Sequence, residues 1–264
     1  MKIGILGVGK MGTAILNGIV ASKLYKKEDI LLCVKSKEQQ YSLASNGFNV
    51  TLSCEDLFNN CKIILLAIKP QSFAETLKNS QNFNFENKCI LSIAAGISLQ
   101  KIQNYFKNAY VVRAMPNTPA QINKAVTTIC ANNTSNIYFK KCVEIFNSIG
   151  FCFEIKEEQM DYTLPLNGSM PAYLYLFALS FIEESIKHGI NEETAKNLTL
   201  QSIISSANMI LYSNENIQTL IDNVCSKGGT TIAGLNKLKE NNFEQAIKDC
   251  YNTCAERSKE LNKN

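Results

Sequence analysis

The chain has 264 residues and a net charge of +4, long enough for two ordinary domains of ~100–200 residues each. Its lysines are spread rather than massed, so a nucleic-acid or membrane-surface role has no basic block to rest on, and no apolar stretch approaches the ~20 residues of a membrane span. Ten cysteines occur without a CxxC pair, and with His188 the single histidine a zinc site lacks partners, so no metal is expected.

The first strand-like run, 2–6, meets Gly7-Val8-Gly9-Lys10-Met11-Gly12 and passes into an apolar-periodic segment over 13–23. A strand, a glycine turn and a helix in that order are what a dinucleotide needs. Gly7 takes the tight turn, Gly9 leaves room for a pyrophosphate against the backbone, and Gly12 lets the helix pack closely on the strand. The alternative is a bare strand-to-helix turn. Further strands are expected at 30–34, 49–51, 62–67, 89–93, 109–113, 125–130 and 151–154, with crossover helices at 37–46, 71–79, 98–107 and 136–149. This alternation is how a doubly wound, mostly parallel sheet is written. The early start of the first strand leaves no room for a targeting segment, and the scattered thiols suit a reducing compartment, so a cytoplasmic setting is expected.

Beyond Ile155 the strand signals cease and residues 157–261 read as helices. Leu174, Phe177, Ala178, Phe181, Ile182 and Ser185 trace one stripe that Gly189 ends as a C-cap. The expected division is therefore a Rossmann domain over 1–155 and an all-helical domain over 156–264. Segments 171–186 and 198–212 are apolar over more than half their circumference. Either they lie in the lobe's own core or they pair in a homodimer.

The second strand ends Cys33-Val34-Lys35-Ser36-Lys37, where an NAD-specific unit would place a carboxylate. Two ammonium groups and a hydroxyl, from Lys35, Lys37 and Ser36, suit a 2′-phosphate, which favours NADPH and leaves NADH possible. The alternative is a lysine-rich turn in a lysine-rich protein. Ala67-Ile68-Lys69-Pro70, Ala94-Ala95-Gly96 and Met115-Pro116-Asn117-Thr118-Pro119 fall at the carboxyl edge of the sheet, where an open α/β fold binds its ligand. Lys69 reads as a contact to ribose or nicotinamide, or as an ordinary solvated charge. In the second half, Gly228-Gly229-Thr230-Thr231 opens a helix whose amides could hold a carboxylate, or it is a plain N-cap with a flexible lead-in. His188, just before Gly189, reads as a surface cation, so histidine-based nucleophilic catalysis is not expected.

Taken in order and spacing, the glycine turn, the Ala67–Pro70 and Ala94–Gly96 turns, the Met115–Pro119 turn, the Gly168-Ser169 turn with Pro171-Ala172-Tyr173, and Gly228–Thr231 resemble the pyrroline-5-carboxylate reductase family over essentially the whole chain. The resemblance implies a Rossmann domain joined to a helical domain that dimerises by interleaving, with dimers assembled into a larger ring. It implies cofactor contacts from Gly7, Val8, Gly9, Lys10, Met11, Ser36, Ile68, Lys69, Ala95 and Asn223. The anionic cyclic imine would rest on Gly229, Thr230 and Thr231, with Ser169 and Glu157 beside it and the Thr231 hydroxyl near the ring nitrogen. Hydride transfer to the imine carbon, giving L-proline, is the implied reaction. The chain departs from the family pattern at Asn167 and Met170, which replace Ser and Gly, at Lys227, which replaces Pro, and at Cys54, where Asn often meets the cofactor. Alternatives are a reductase of another cyclic imine, a β-hydroxyacid dehydrogenase, for which a lysine in the linking helix lacks a clear counterpart, and a non-catalytic NADPH-binding regulator.

Overall fold

Mostly apolar runs of three to seven residues form an eight-stranded sheet in this computed structural model, which describes residues 2–263. The strands are β1 (Ile3–Leu6), β2 (Ile30–Cys33), β3 (Asn49–Thr51), β4 (Ile63–Leu66), β5 (Cys89–Ser92), β6 (Tyr110–Met115), β7 (Ala125–Ala131) and β8 (Gly150–Glu154). Every residue of β1, β4 and β5 is buried, as expected of strands covered on both faces. The sheet runs β3-β2-β1-β4-β5-β6-β7-β8. The first six strands are parallel, β7 is antiparallel to β6, and β8 is parallel to β7. From β1 the chain winds outward through β2 to β3 and then returns to β4 on the other side of β1. The switch point, and with it the ligand crevice of such sheets, lies beyond the carboxyl ends of β1 and β4.

The period of two along each strand divides the core. Ile3, Ile5, Ile63 and Leu65 pack with Ile15, Leu16 and Ile19 of α1 (Lys10–Ala21) and with Phe139, Ile145 and Phe146 of α6 (Ile137–Asn147). Leu6, Ile64, Leu66 and Ile90 face the opposite layer, α3 (Cys54–Asn60), α4 (Phe73–Leu77) and α5 (Leu99–Tyr105). There Phe58, Phe85 and Phe106 meet edge to face, with centroids 4.9 Å apart for the last two. Between β2 and β3 lies α2 (Lys37–Ser45).

Three helical features differ from the sequence expectation. Helix α1 starts at Lys10, not 13, because Gly9 is itself the N-cap and the rest of the glycine motif is the first turn. The α3 segment, unassigned by pattern, is a seven-residue helix capped by Ser53. Pro70 opens a 3₁₀ turn, which confines α4 to five residues.

After β8 come α7 (Met160–Thr163), α8 (Met170–Lys187), α9 (Glu192–Tyr212), α10 (Ile217–Val224), α11 (Thr230–Glu240) and α12 (Phe243–Lys263). The chain packs as two compact units, one formed by residues 1–169 and 254–264 and the other by 170–253. The first unit thus extends beyond the 155/156 boundary expected where strand signals end. The Thr128 hydroxyl donates to the Met160 sulfur at 3.4 Å, and Asn167, 2% exposed, is hydrogen-bonded to the sheet. The end of α12 joins this unit through buried Ala255 and through Ser258, whose hydroxyl donates to Asp161 at 2.6 Å.

Candidate active site

The sharp turn after β1 places a helix N-terminus at the carboxyl edge. Gly7 has φ +93° and its amide donates to the Cys33 carbonyl at 3.0 Å, which ties the turn to the end of β2. A Cβ on Gly12 would lie 2.2 Å from the Gly7 carbonyl oxygen, whereas one on Gly9 would meet nothing within 4 Å. Gly12 therefore serves the fold, and the space beside Gly9 is open. The first turn of α1 carries no acidic side chain and no side-chain cap, so its free amides and the helix dipole favour an anion. Val8 is buried, and its carbonyl accepts from the Gln39 side-chain amide at 2.7 Å. Sequence reading missed Gln39, which ties the start of α2 to the glycine turn.

Ser36 is the N-cap of α2, with its Oγ accepting from the Gln39 amide at 3.2 Å. Lys35, Ser36 and Lys37 are all exposed at the end of β2. Next to them, the Glu38 carboxyl is held below its usual range by its own backbone amide and by the Ser36 hydroxyl. Lys69 and Ala95 are exposed and Ile68 is partly exposed, in turns that follow β4 and β5 on the same edge. The Ser92 hydroxyl accepts from the Ala94 amide at 3.2 Å and Gly96 has φ +72°, which together fold that second turn.

After β6, Asn117 is 7% exposed and holds two segments together. Its Oδ1 accepts from the Val126 amide at 2.9 Å and its Nδ2 donates to the Asn167 carbonyl at 3.1 Å. Asn167 donates in turn to the Met115 carbonyl at 2.7 Å. The Gly168-Ser169 turn is thereby fastened to the Met115–Pro119 turn, and the Ser169 hydroxyl lies 3.3 Å from the Cys254 sulfur.

Glu157, expected beside the substrate, is already engaged. Its Oε1 accepts from the Leu99 amide at 2.7 Å, in the first turn of α5, and lies 3.4 Å from the Arg113 guanidinium. Arg113 is 3% exposed and its Nε has no hydrogen-bond partner. In this chain Glu157 is a strut that neutralises a buried cation and caps a helix, a role the sequence did not signal.

In the helical unit, Gly228 is left-handed at φ +71° and Gly229 is the extended N-cap of α11, again without a side-chain cap or an acidic first turn. A Cβ on Gly229 would fall 2.3 Å from the Ser226 hydroxyl. Thr230 and Thr231 are exposed, and their amides face outward from the helix start. Asn223 is exposed and donates to Glu215 at 3.0 Å. Gly189, at φ +84°, ends α8 as expected, and His188 is a surface residue 2.9 Å from the Glu184 carbonyl. The apolar sides of α8 and α9 are uncovered: Leu176 is 67% and Leu211 73% exposed, while Pro171, Ala178 and Ala195 are the buried positions described on the two helices. The reading in which these helices fill the lobe's own core is therefore set aside.

Among the described residues, no group of three or more His, Cys, Asp or Glu could hold a metal ion, and no helix is long and apolar enough to cross a membrane. The switch-point crevice, the uncapped helix after a left-handed glycine and the open space at Gly9 define a Rossmann-type dinucleotide-binding protein with an appended helical unit. Pyrroline-5-carboxylate reductase 2 of Bacillus subtilis (strain 168) is 33% identical over 267 residues, covering 98% of this chain and 95% of the relative. The chain belongs to the pyrroline-5-carboxylate reductase family. Residues 157–261 match the family model for pyrroline-5-carboxylate reductase dimerisation, which marks the helical segment as an oligomerising one, and residues 2–96 match the model described as NADP oxidoreductase coenzyme F420-dependent. A solved Plasmodium falciparum pyrroline carboxylate reductase with NADP bound superposes with a TM-score of 0.89 at 34% identity, covering 99% of this chain and 98% of that one. The Streptococcus pyogenes 1-pyrroline-5-carboxylate reductase follows at 0.88 and 32%, covering 98% of each chain.

Proposed function

We propose that this protein reduces 1-pyrroline-5-carboxylate to L-proline with NADPH, the final step of proline biosynthesis, in the cytoplasm. The observation that carries the reading is the pair of uncapped, glycine-led helix N-termini, one at the sheet's carboxyl edge and one opening α11. They match the two anions that must be held, a dinucleotide pyrophosphate and a substrate carboxylate. Such a terminus contributes roughly 0.3–2 kcal/mol to each anion by its dipole.

The residues present fit the cofactor, because the space a Cβ would fill at Gly9 is open and no carboxylate lies in the first turn of α1. Gly7, Val8, Gly9, Lys10 and Met11 would hold its pyrophosphate, Ser36 and Lys37 the 2′-phosphate, and Ile68, Lys69, Ala95 and Asn223 its remaining length. When bound, NADPH supplies a hydride. The backbone of Gly229, Thr230 and Thr231 holds the substrate carboxylate, with Ser169 beside it. The Thr231 hydroxyl orients the ring nitrogen, which carries its own proton, so the protein contributes placement and electrostatics rather than a strong acid. Glu157 acts through its hold on Arg113 and Leu99. Residues 1–155 form the main cofactor domain, while 156–264 add Asn223 to the cofactor contacts and serve the substrate and dimerisation, with homodimers through the C-terminal helices assembling into a larger ring. The exposed apolar sides of α8 and α9 support the homodimer.

Steady-state NADPH oxidation with the five-membered imine, run beside the six-membered imine and a 3-hydroxyacid in reverse, tests the assignment. The five-membered imine is the expected substrate. Thr231→Ala is expected to lower turnover substantially while sparing NADPH binding, and unchanged turnover would remove Thr231 from the mechanism. Activity on another substrate alone would move the chain to a different reaction.

A further inference from the structure

We propose that Cys33 and Cys54 form an oxidation-sensitive thiol pair, which a hydroperoxide converts into a disulfide beside the glycine turn, weakening dinucleotide binding. The chemistry of the pair stands by itself, while its consequence rests on the nucleotide site proposed above.

The two sulfurs lie 4.0 Å apart, although the residues are separated by 21 positions. Cys33 ends β2 opposite Leu6, is 3% exposed, and its carbonyl accepts the Gly7 amide. Cys54 is the first residue of α3 and is partly exposed. An oxidant in solution therefore meets Cys54 first and finds Cys33 directly behind it. The contrasting pair, Cys89 and Cys142, is closer at 3.7 Å but wholly buried. Proximity without access does not make a reactive site.

The contact also prepares the two thiols for different roles. Hydrogen bonding from Cys33 holds the Cys54 thiol down at about 7 against its burial, with help from its own backbone amide and Lys35. The same bond, with burial, pushes the Cys33 thiol up. Near neutral pH a substantial share of Cys54 is then thiolate, while Cys33 retains its proton. The Cys54 thiolate attacks a peroxide oxygen, the O–O bond breaks, and an alkoxide or hydroxide leaves to be protonated by water. The Cys54 sulfur is oxidised to a sulfenic acid and the peroxide is reduced. Cys33 then attacks that sulfur, the S–S bond forms, the S–O bond breaks, and the Cys33 proton leaves in a molecule of water.

Closure brings the sulfurs from 4.0 Å to about 2.05 Å. Cys33 is fixed in the sheet, so the displacement falls on the start of α3 and on the chain after Cys33. That chain holds the Gly7 amide and leads within three residues to Ser36. Both ends of the proposed dinucleotide cradle are thus coupled to one bond.

The test treats the native protein with hydrogen peroxide, blocks remaining thiols by alkylation, maps the linked peptides by mass spectrometry, and titrates NADPH into oxidised and reduced protein. A Cys33–Cys54 link is expected, reversed by dithiothreitol, with NADPH affinity lowered about tenfold in the oxidised form, within the usual range for coupled sites. Cys33→Ser keeps a hydrogen-bond donor to Cys54 but no resolving thiol, and is expected to leave a Cys54 sulfenic acid that dimedone traps. Over-oxidation of Cys54 without a link, a link elsewhere, or a Cys33–Cys54 link with unchanged affinity would each overturn the proposal. The mapping needs no ligand. A protein that forms the link but binds no NADPH when reduced would therefore overturn the nucleotide site and the regulatory consequence together, and leave the thiol chemistry established.

Discussion

Gly12 sits so close to Gly7 that a Cβ on the former would lie 2.2 Å from the latter's carbonyl oxygen. The contact is between backbone atoms, so it cannot be relieved by turning a side chain. Gly12→Ala is therefore expected to cost about 1–3 kcal/mol of stability and to displace the turn. Gly9→Ala meets open space and exchanges one N-cap for a poorer one, a loss of at most about 1 kcal/mol. Urea unfolding and NADPH titration separate the two. Gly9→Ala should fold nearly normally yet bind NADPH at least about tenfold more weakly, a change of about 1.4 kcal/mol. Normal NADPH affinity in Gly9→Ala would show that the space beside it is not where the pyrophosphate lies.

The Glu157 strut predicts an ordering of variants. Glu157→Ala leaves the buried Arg113 without its carboxylate and the Leu99 amide without its acceptor. Because Glu157 is 34% exposed, solvent screens part of the loss, and about 2 kcal/mol is expected. Glu157→Gln keeps an acceptor for Leu99 and should lose about half as much. Equal unfolding midpoints for wild type and Glu157→Ala would refute the strut. A fall in turnover for Glu157→Gln out of proportion to its stability would place the carboxylate in the chemistry as well.

Ser36→Asp keeps an oxygen able to cap α2, so little change in stability is expected. It puts a carboxylate where the 2′-phosphate is proposed, beside the existing Glu38. The ratio of kcat/KM for NADPH over NADH is expected to fall by about tenfold or more, because the anion is repelled while a 2′-hydroxyl can still donate. An unchanged ratio would move the phosphate cradle elsewhere.

A charge on the uncovered side of α8 should disrupt assembly. Leu176 is 67% exposed in the single chain, so Leu176→Asp gives up little packing within it. Sedimentation or light scattering is expected to show smaller species for the variant, with helical content retained. An unaltered mass would place the interface on another surface.

Much of the fold was legible because β1, β4 and β5 are apolar runs buried on both faces, and because the spacing of the glycines between a strand and a helix reveals the geometric demands of the first turn. Helix α3 escaped because Leu57 and Phe58 are its two buried positions in a short polar segment. The start of α1 was misplaced because Gly9 caps the helix with its backbone and offers no side-chain signal. The site was less legible where contacts are distant in sequence. Gln39 reaches Val8 across 31 positions, Asn117 reaches Asn167 across 50, and Leu99 reaches Glu157 across 58. No local period encodes such pairings. The resemblance that named Glu157 likewise gave no sign of Arg113 behind it.

Hydride transfer to the carbon of the five-membered imine leaves an isotopic signature in the product. Incubating the protein with 1-pyrroline-5-carboxylate and NADPH deuterated at C4 on the transferred face should yield L-proline carrying deuterium at C5. Proline without the label, or no proline while the cofactor is bound, would contradict it.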